Sequence, residues 1–149
     1  MKKIFMILSM LCLSISAQSH DEGHGPKLAD TGKYGGLVSA VILKQDAKLG
    51  GSATLVHKAE LVRSSDSTVR LYIYDSRMKP LKATDFALKA QASLASKTKG
   101  KWTSTSFELD FKDGFFIGKM PKPISKPYNI DVVLNQKDKE LLTAFDNLD

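Results

Sequence analysis

The chain has very little of the chemistry that usually announces an enzyme. It has one cysteine, one tryptophan and three histidines among 149 residues. A single thiol excludes an internal disulfide and any Cys-rich metal cluster. Two of the histidines, His20 and His24, precede the first patterned segment, so only His57 stands where a folded domain could use it as a base. Nucleophilic catalysis needs a Ser, Cys or Thr beside such a base. A Gly-x-Ser-x-Gly elbow, a phosphate-cradling Gly-rich loop and a His-Glu-x-x-His helix are all missing. Charge of one sign does not cluster either: Lys44, Lys58, Lys82, Lys97, Lys99, Lys101, Lys122 and Lys126 are scattered. That spacing, with Trp102 the sole tryptophan, speaks against nucleic-acid binding and for a solvated, soluble surface.

The one long apolar run is at the start. Lys2 and Lys3 precede the apolar stretch 4–15, and small and polar residues follow at Ser16-Ala17-Gln18-Ser19. This is the order of a secretory signal, and the run is shorter than the ~20 residues of a membrane-spanning helix. The expectation is a cleaved signal peptide over 1–19, cut after Ala17 or Ser19, with membrane contact only during export. Cleavage removes Cys12, Lys2 and Lys3, leaving 20 basic against 16 acidic side chains and a formal charge of +4 instead of +6. The expected location is periplasmic or secreted.

Residues 20–33 (HDEGHGPKLADTGK) are polar and Gly-rich with no apolar period, and read as a flexible leader. From Tyr34 to the end the apolar residues alternate. Val69, Leu71 and Ile73 share one face; so do Phe86, Leu88, Ala90, Ala92 and Leu94, then Phe107, Leu109 and Phe111, then Tyr128, Ile130, Val132 and Leu134. Alternation of this kind puts one face of each strand in a core. The pattern predicts eight strands, at 36–43, 53–63, 68–75, 84–95, 101–111, 114–119, 128–135 and 139–145. Gly, Asp and Ser turns separate them. The stretch 120–127 (MPKPISKP) carries three prolines and is excluded from a central strand, so it reads as a connection between sheets. Short strands with one apolar face each suggest two packed sheets, and the expected fold is all-β: an immunoglobulin-like sandwich over 34–149.

The leader holds the densest ligand chemistry. His20, Asp21, Glu22 and His24 place two imidazoles and two carboxylates within five residues, beside Gly23 and Gly25. Imidazole and carboxylate suit Cu(II), Ni(II) and Zn(II). A cut after Ala17 places His20 third from a free amine, the spacing for a square-planar nitrogen set. A cut after Ser19 places it first, where amine and ring chelate together. Within the domain, His57 and Glu60 are the further metal candidates, although a lone histidine on an apolar face is more often a hydrogen-bonded core group.

Three stretches carry a resemblance. Tyr34-Gly35-Gly36-Leu37-Val38, Lys58-Ala59-Glu60-Leu61-Val62, and 69–75 (VRLYIYD) continuing to Lys79-Pro80-Leu81 together resemble small periplasmic β-sandwich proteins. Related domains occur in or beside the periplasmic adaptor subunits of heavy-metal efflux pumps. The resemblance implies a periplasmic setting and a heavy-metal connection. Glu60 matches the pattern, whereas Tyr34 and Lys58 stand where histidines are expected, which shifts the metal expectation to the leader. The expected function is therefore a non-enzymatic, exported metal-binding accessory protein that handles copper or zinc, with an efflux component as its partner. The alternative is a metal-free module that binds a protein or envelope component, for which Tyr72 and Tyr74 supply outward-facing aromatics.

Overall fold

The computed structural model describes residues 25–149. His20, Asp21, Glu22, His24, Cys12 and both expected cleavage points lie outside the described residues. Eight strands follow one another: β1 (Leu37–Leu43), β2 (His57–Arg63), β3 (Thr68–Tyr74), β4 (Lys89–Thr98), β5 (Lys101–Lys112), β6 (Phe115–Lys119), β7 (Tyr128–Gln136) and β8 (Lys139–Leu148). A 3₁₀ stretch, Lys44–Ser52, joins β1 to β2.

These strands do not make two sheets. They close into one antiparallel barrel in the order β1-β2-β3-β6-β5-β4-β7-β8, with β8 returning to β1. The sandwich expected from the sequence is thereby corrected. Alternation fixes which face of a strand is buried, and a sandwich and a barrel both need one apolar face per strand. The difference lies in the pairings β3–β6, β4–β7 and β1–β8, which join strands distant in sequence. Small inward residues, Ala59, Ala90 and Ala92, let the wall curve tightly around a filled interior. Gly118 allows β6 to reach β5, since a Cβ there would collide with the Glu108 carbonyl oxygen.

The inward set is close to the expected one. Leu71, Leu109, Ile130 and Val132 are fully buried, Ile73 nearly so, and Phe107 packs against them. Leu88 departs from its alternation and is 72% exposed, because β4 begins only at Lys89 after a short 3₁₀ turn. Likewise 53–56 is not strand, since the 3₁₀ stretch consumes the chain before β2.

Antiparallel pairing throughout places the β1, β3, β5 and β7 C-terminal ends together at one rim, called here the upper rim. The β3–β4 connection crosses the upper rim. The three-proline stretch 120–127 crosses the lower one, from β6 to β7. On the wall made by β4 and β5, Lys89, Gln91 and Ser93 stand beside Asp110, Glu108 and Ser106. That wall carries charge where a lipid-embedded barrel has an apolar band. No helix among the described residues is long and apolar enough to cross a membrane.

Candidate functional site

Before β1 the chain lies as a strap on the outside of the barrel. Leu28 packs on the outward Ala40 and Ile42, and Gly25 lies so near that a Cβ would stand 2.7 Å from Ile42 Cγ2. Asp30 then meets Lys58, with Nζ and Oδ2 2.7 Å apart. Next comes Glu60, which projects from β2 on the face opposite Ala59 and Leu61. Its Oε1 accepts the backbone N–H groups of Tyr34 and Gly36, both at 2.8 Å. Its Oε2 accepts the Lys33 N–H at 2.8 Å and the Tyr74 hydroxyl at 2.7 Å. The described part of the expected flexible leader, 25–33, is thus fastened down.

The electrostatics follow from this arrangement. Glu60 is wholly covered. Burial is the strongest single influence and pushes its carboxyl up. The bonds from Gly36, Tyr74, Tyr34 and Lys33 together outweigh that push and hold the group below the ordinary carboxylate value. The Tyr74 hydroxyl moves the opposite way. Burial raises it first, and its donated bond to the Glu60 carboxylate raises it further. An ionised carboxylate with four donors is the arrangement a buried charge requires.

The in-domain metal candidates do not fit an ion. Both Glu60 oxygens are taken by two donors each. His57 projects from the other face of β2, beside Val41 in the barrel interior, with Nε2 2.8 Å from Gln136 Oε1 and its ring edge-on to Phe86. The structure therefore places His57 and Glu60 on opposite sides of one strand. No group of three or more His, Cys, Asp or Glu among the described residues is placed to hold a metal.

No protein-family model, curated protein or solved structure matches the chain. Its functional reading rests on its own geometry.

Tyr72 and Tyr74 do face outward, but the strap crosses them. Tyr74 is 1% exposed. Tyr72 is half-buried, with Tyr34 stacked on it at 4.1 Å between ring centroids and 21° between planes. Phe115 tilts against Tyr72, with ring centroids 5.1 Å apart. Together with Pro80, Leu81 and Asp113 these rings border a cleft of about 380 Å³. Lys33 Nζ sits 5.6 Å from the Tyr74 ring centre. At the lower rim a second hollow, of about 580 Å³, holds Arg63. There the Arg63 guanidinium donates to the Tyr128 hydroxyl at 2.6 Å and to the Asp149 carbonyl oxygen at 2.9 Å, so its charge is partly committed within the fold.

Sequence reasoning missed the Tyr34–Tyr72 stack and the Asp30–Lys58 pair. One signal was available: Lys58 and Glu60 flank Ala59 within an apolar strand, and charges embedded there demand partners from elsewhere in the chain.

Proposed function

We propose that this chain is an exported, non-catalytic binding protein whose barrel serves as a rigid support and whose binding face is the strap-crossed surface of β2 and β3. The observation that carries this reading is Tyr34. It is a large aromatic, 58% exposed, yet its backbone is fixed by Glu60 and its ring by Tyr72. An exposed aromatic held in one place loses little entropy on binding, which is the property of an interface anchor. The partner class is a protein or an envelope component. The test compares the processed protein with Tyr34→Ala, both immobilised through the C-terminus, for saturable retention of fractionated envelope material. Retention lost in Tyr34→Ala supports this face. Retention unchanged by that substitution refutes it.

A second reading keeps the metal. His20-Asp21-Glu22-Gly23-His24 precedes, in sequence, a segment that packs on the barrel from Leu28 onward, and its imidazoles and carboxylates are ligand types suited to a Cu(II) or Zn(II) cargo. This reading supports a role in heavy-metal handling beside an efflux component of the periplasm. Its test is calorimetric titration of both ions into three forms: the processed protein, His20→Ala/His24→Ala, and a chain beginning at Gly25. Tighter Cu(II) than Zn(II) binding, abolished in both altered forms, supports it. Full affinity in the chain beginning at Gly25 refutes it.

A further inference from the structure

One strand edge of the barrel is left open. β6 pairs with β5 only at Asp110, Phe111 and Lys112, so along 103–107 no described strand lies on that side. We infer that this edge pairs with the same edge of a second copy of the chain, antiparallel, about a two-fold axis at Ser104.

The opening comes from unequal strand lengths. β5 has 12 residues and β6 only 5, so the first half of β5 outruns its neighbour while β4 holds its other edge from Lys101 to Asp110. Thr103, Ser104, Thr105 and Ser106 are all exposed, so neither face of this stretch is covered. Two contacts fix the direction of the backbone groups. A Cβ on Gly118 would stand 2.4 Å from the Glu108 carbonyl oxygen, so Glu108 turns toward β6, whereas the Phe111 N–H donates the other way, to the Leu88 carbonyl. Direction alternates along a strand, so Ser104 and Ser106 turn their N–H and C=O groups to the open edge. Such groups are a template for a further strand.

Charge decides the occupant. The stretch 102–107 holds no charged residue, proline or glycine, and its threonines favour a strand. Its two ends differ in sign. Lys97, Lys99 and Lys101 gather at the β4–β5 turn, while Glu108 and Asp110 share a single lysine, Lys89. An antiparallel copy sets each basic end beside the acidic end of the other, whereas a parallel copy sets like against like. Symmetry then narrows the register. Opposed residues place their side chains on one face, so a two-fold axis perpendicular to the sheet must pass beside a residue that faces itself. Ser104 lies within the uncharged stretch and turns its backbone to the edge. With Ser104 opposite Ser104 of the second copy, Thr103 falls opposite Thr105, a favourable cross-strand pair. Each copy offers the same edge to the other, so the pairing closes as a dimer and does not propagate into fibres. One short strand pair buries little surface, and the association is of the weak, concentration-dependent class.

The experiment is sedimentation equilibrium of the processed protein over a dilution series, with Ser104→Ala and Ser104→Pro beside it. A reversible monomer–dimer equilibrium is expected for the wild type and for Ser104→Ala, which keeps the backbone N–H. Ser104→Pro removes that N–H from the open edge and leaves the ladder to β4 intact, so its dimer should weaken at least tenfold. Cysteine cross-linking under mild oxidation reads the register independently, with Cys12→Ser as background. Hydrogen-bonded antiparallel pairs have Cα atoms about 5.5 Å apart, within disulfide reach, so Ser104→Cys should form covalent dimers severalfold faster than Ser106→Cys. Should Ser104→Pro fail to fold, the cysteine pair still decides. A wild type that stays monomeric up to about 1 mM, the weak limit of specific association, would overturn the inference. So would a dimer that a folded Ser104→Pro retains in full, or faster cross-linking through Ser106→Cys.

Discussion

Replacing Glu60 with Gln tests the strap most directly, because it preserves shape and removes charge. The carboxylate accepts four hydrogen bonds, three from strap amides and one from Tyr74. The Gln carbonyl can still accept the two bonds at the Oε1 position, but without charge assistance, a loss of about 1 kcal/mol each. The amide NH₂ then confronts the Lys33 N–H, donor against donor, for about 1 kcal/mol more. Tyr74 can rotate its hydroxyl to accept from that NH₂. Relief from burying a charge offsets about 1 kcal/mol. The net expectation is a loss of about 2 kcal/mol. Hydrogen exchange reads it residue by residue: the Lys33, Tyr34 and Gly36 amides should exchange roughly 30-fold faster, at tenfold per 1.4 kcal/mol. Urea unfolding should show whether the loss is local or reaches the barrel. The pH dependence has a definite sign. A carboxyl held below its ordinary value of 4.5 stabilises fully above that pH, and its contribution is lost as pH falls through the lowered folded value. The wild-type strap should therefore loosen only in acid, and the Gln variant should lack that acid transition. Unchanged exchange at all three amides in the Gln variant would refute the account of the strap.

Three further outcomes follow from the fold. Leu109→Ala should cost about 2–5 kcal/mol in urea unfolding, because the side chain is fully buried in the barrel interior; a loss near zero would mean the interior is not packed as described. Gly36→Ala should destabilise by more than Gly35→Ala, since a Cβ at 36 strikes the Leu61 carbonyl oxygen, whereas at 35 the space is open. The Gly35 change should cost only about 1 kcal/mol for its positive φ, and the two melting temperatures decide the order. Asp66, which accepts from Lys119 and from both the hydroxyl and the N–H of Thr68, should titrate by NMR well below the ordinary carboxylate range. Lys119→Met should move it upward, and no movement would remove the lysine as the leading cause.

The parity of the strands was legible because it depends only on neighbours in sequence. Leu71, Leu109, Ile130 and Val132 each sit one residue from a wetter position, and that local contrast is enough to mark the buried face. Closure was not legible. It depends on β3 choosing β6 and β4 choosing β7 as neighbours, across the chain, and nothing in 68–74 or 89–98 alone encodes those choices. The candidate site shows the same division. The outward direction of Tyr72 and Tyr74 could be read from alternation, but their covering could not. The strap segment 25–36 has no period, and its attachment comes from backbone amides, which every sequence possesses. Glu60 marked the place where those amides had to go.

Gly25 lies near the upper rim and Gly36 beside Leu61, farther down β2, so the strap descends along the wall before β1 climbs again. That antiparallel return sets how the molecule responds to a pull from its N-terminal side. A pull directed away from the wall would peel these contacts in series rather than shear them together. The Leu28 contact would open first, then Asp30–Lys58, then the Lys33 and Tyr34 amides, and Gly36 last. The twelve residues from Gly25 to Gly36, once freed, would span about 40 Å when fully extended, at roughly 3.3–3.6 Å per residue, before the load reached β1. The strap is, mechanically, an extension spring in front of a rigid body.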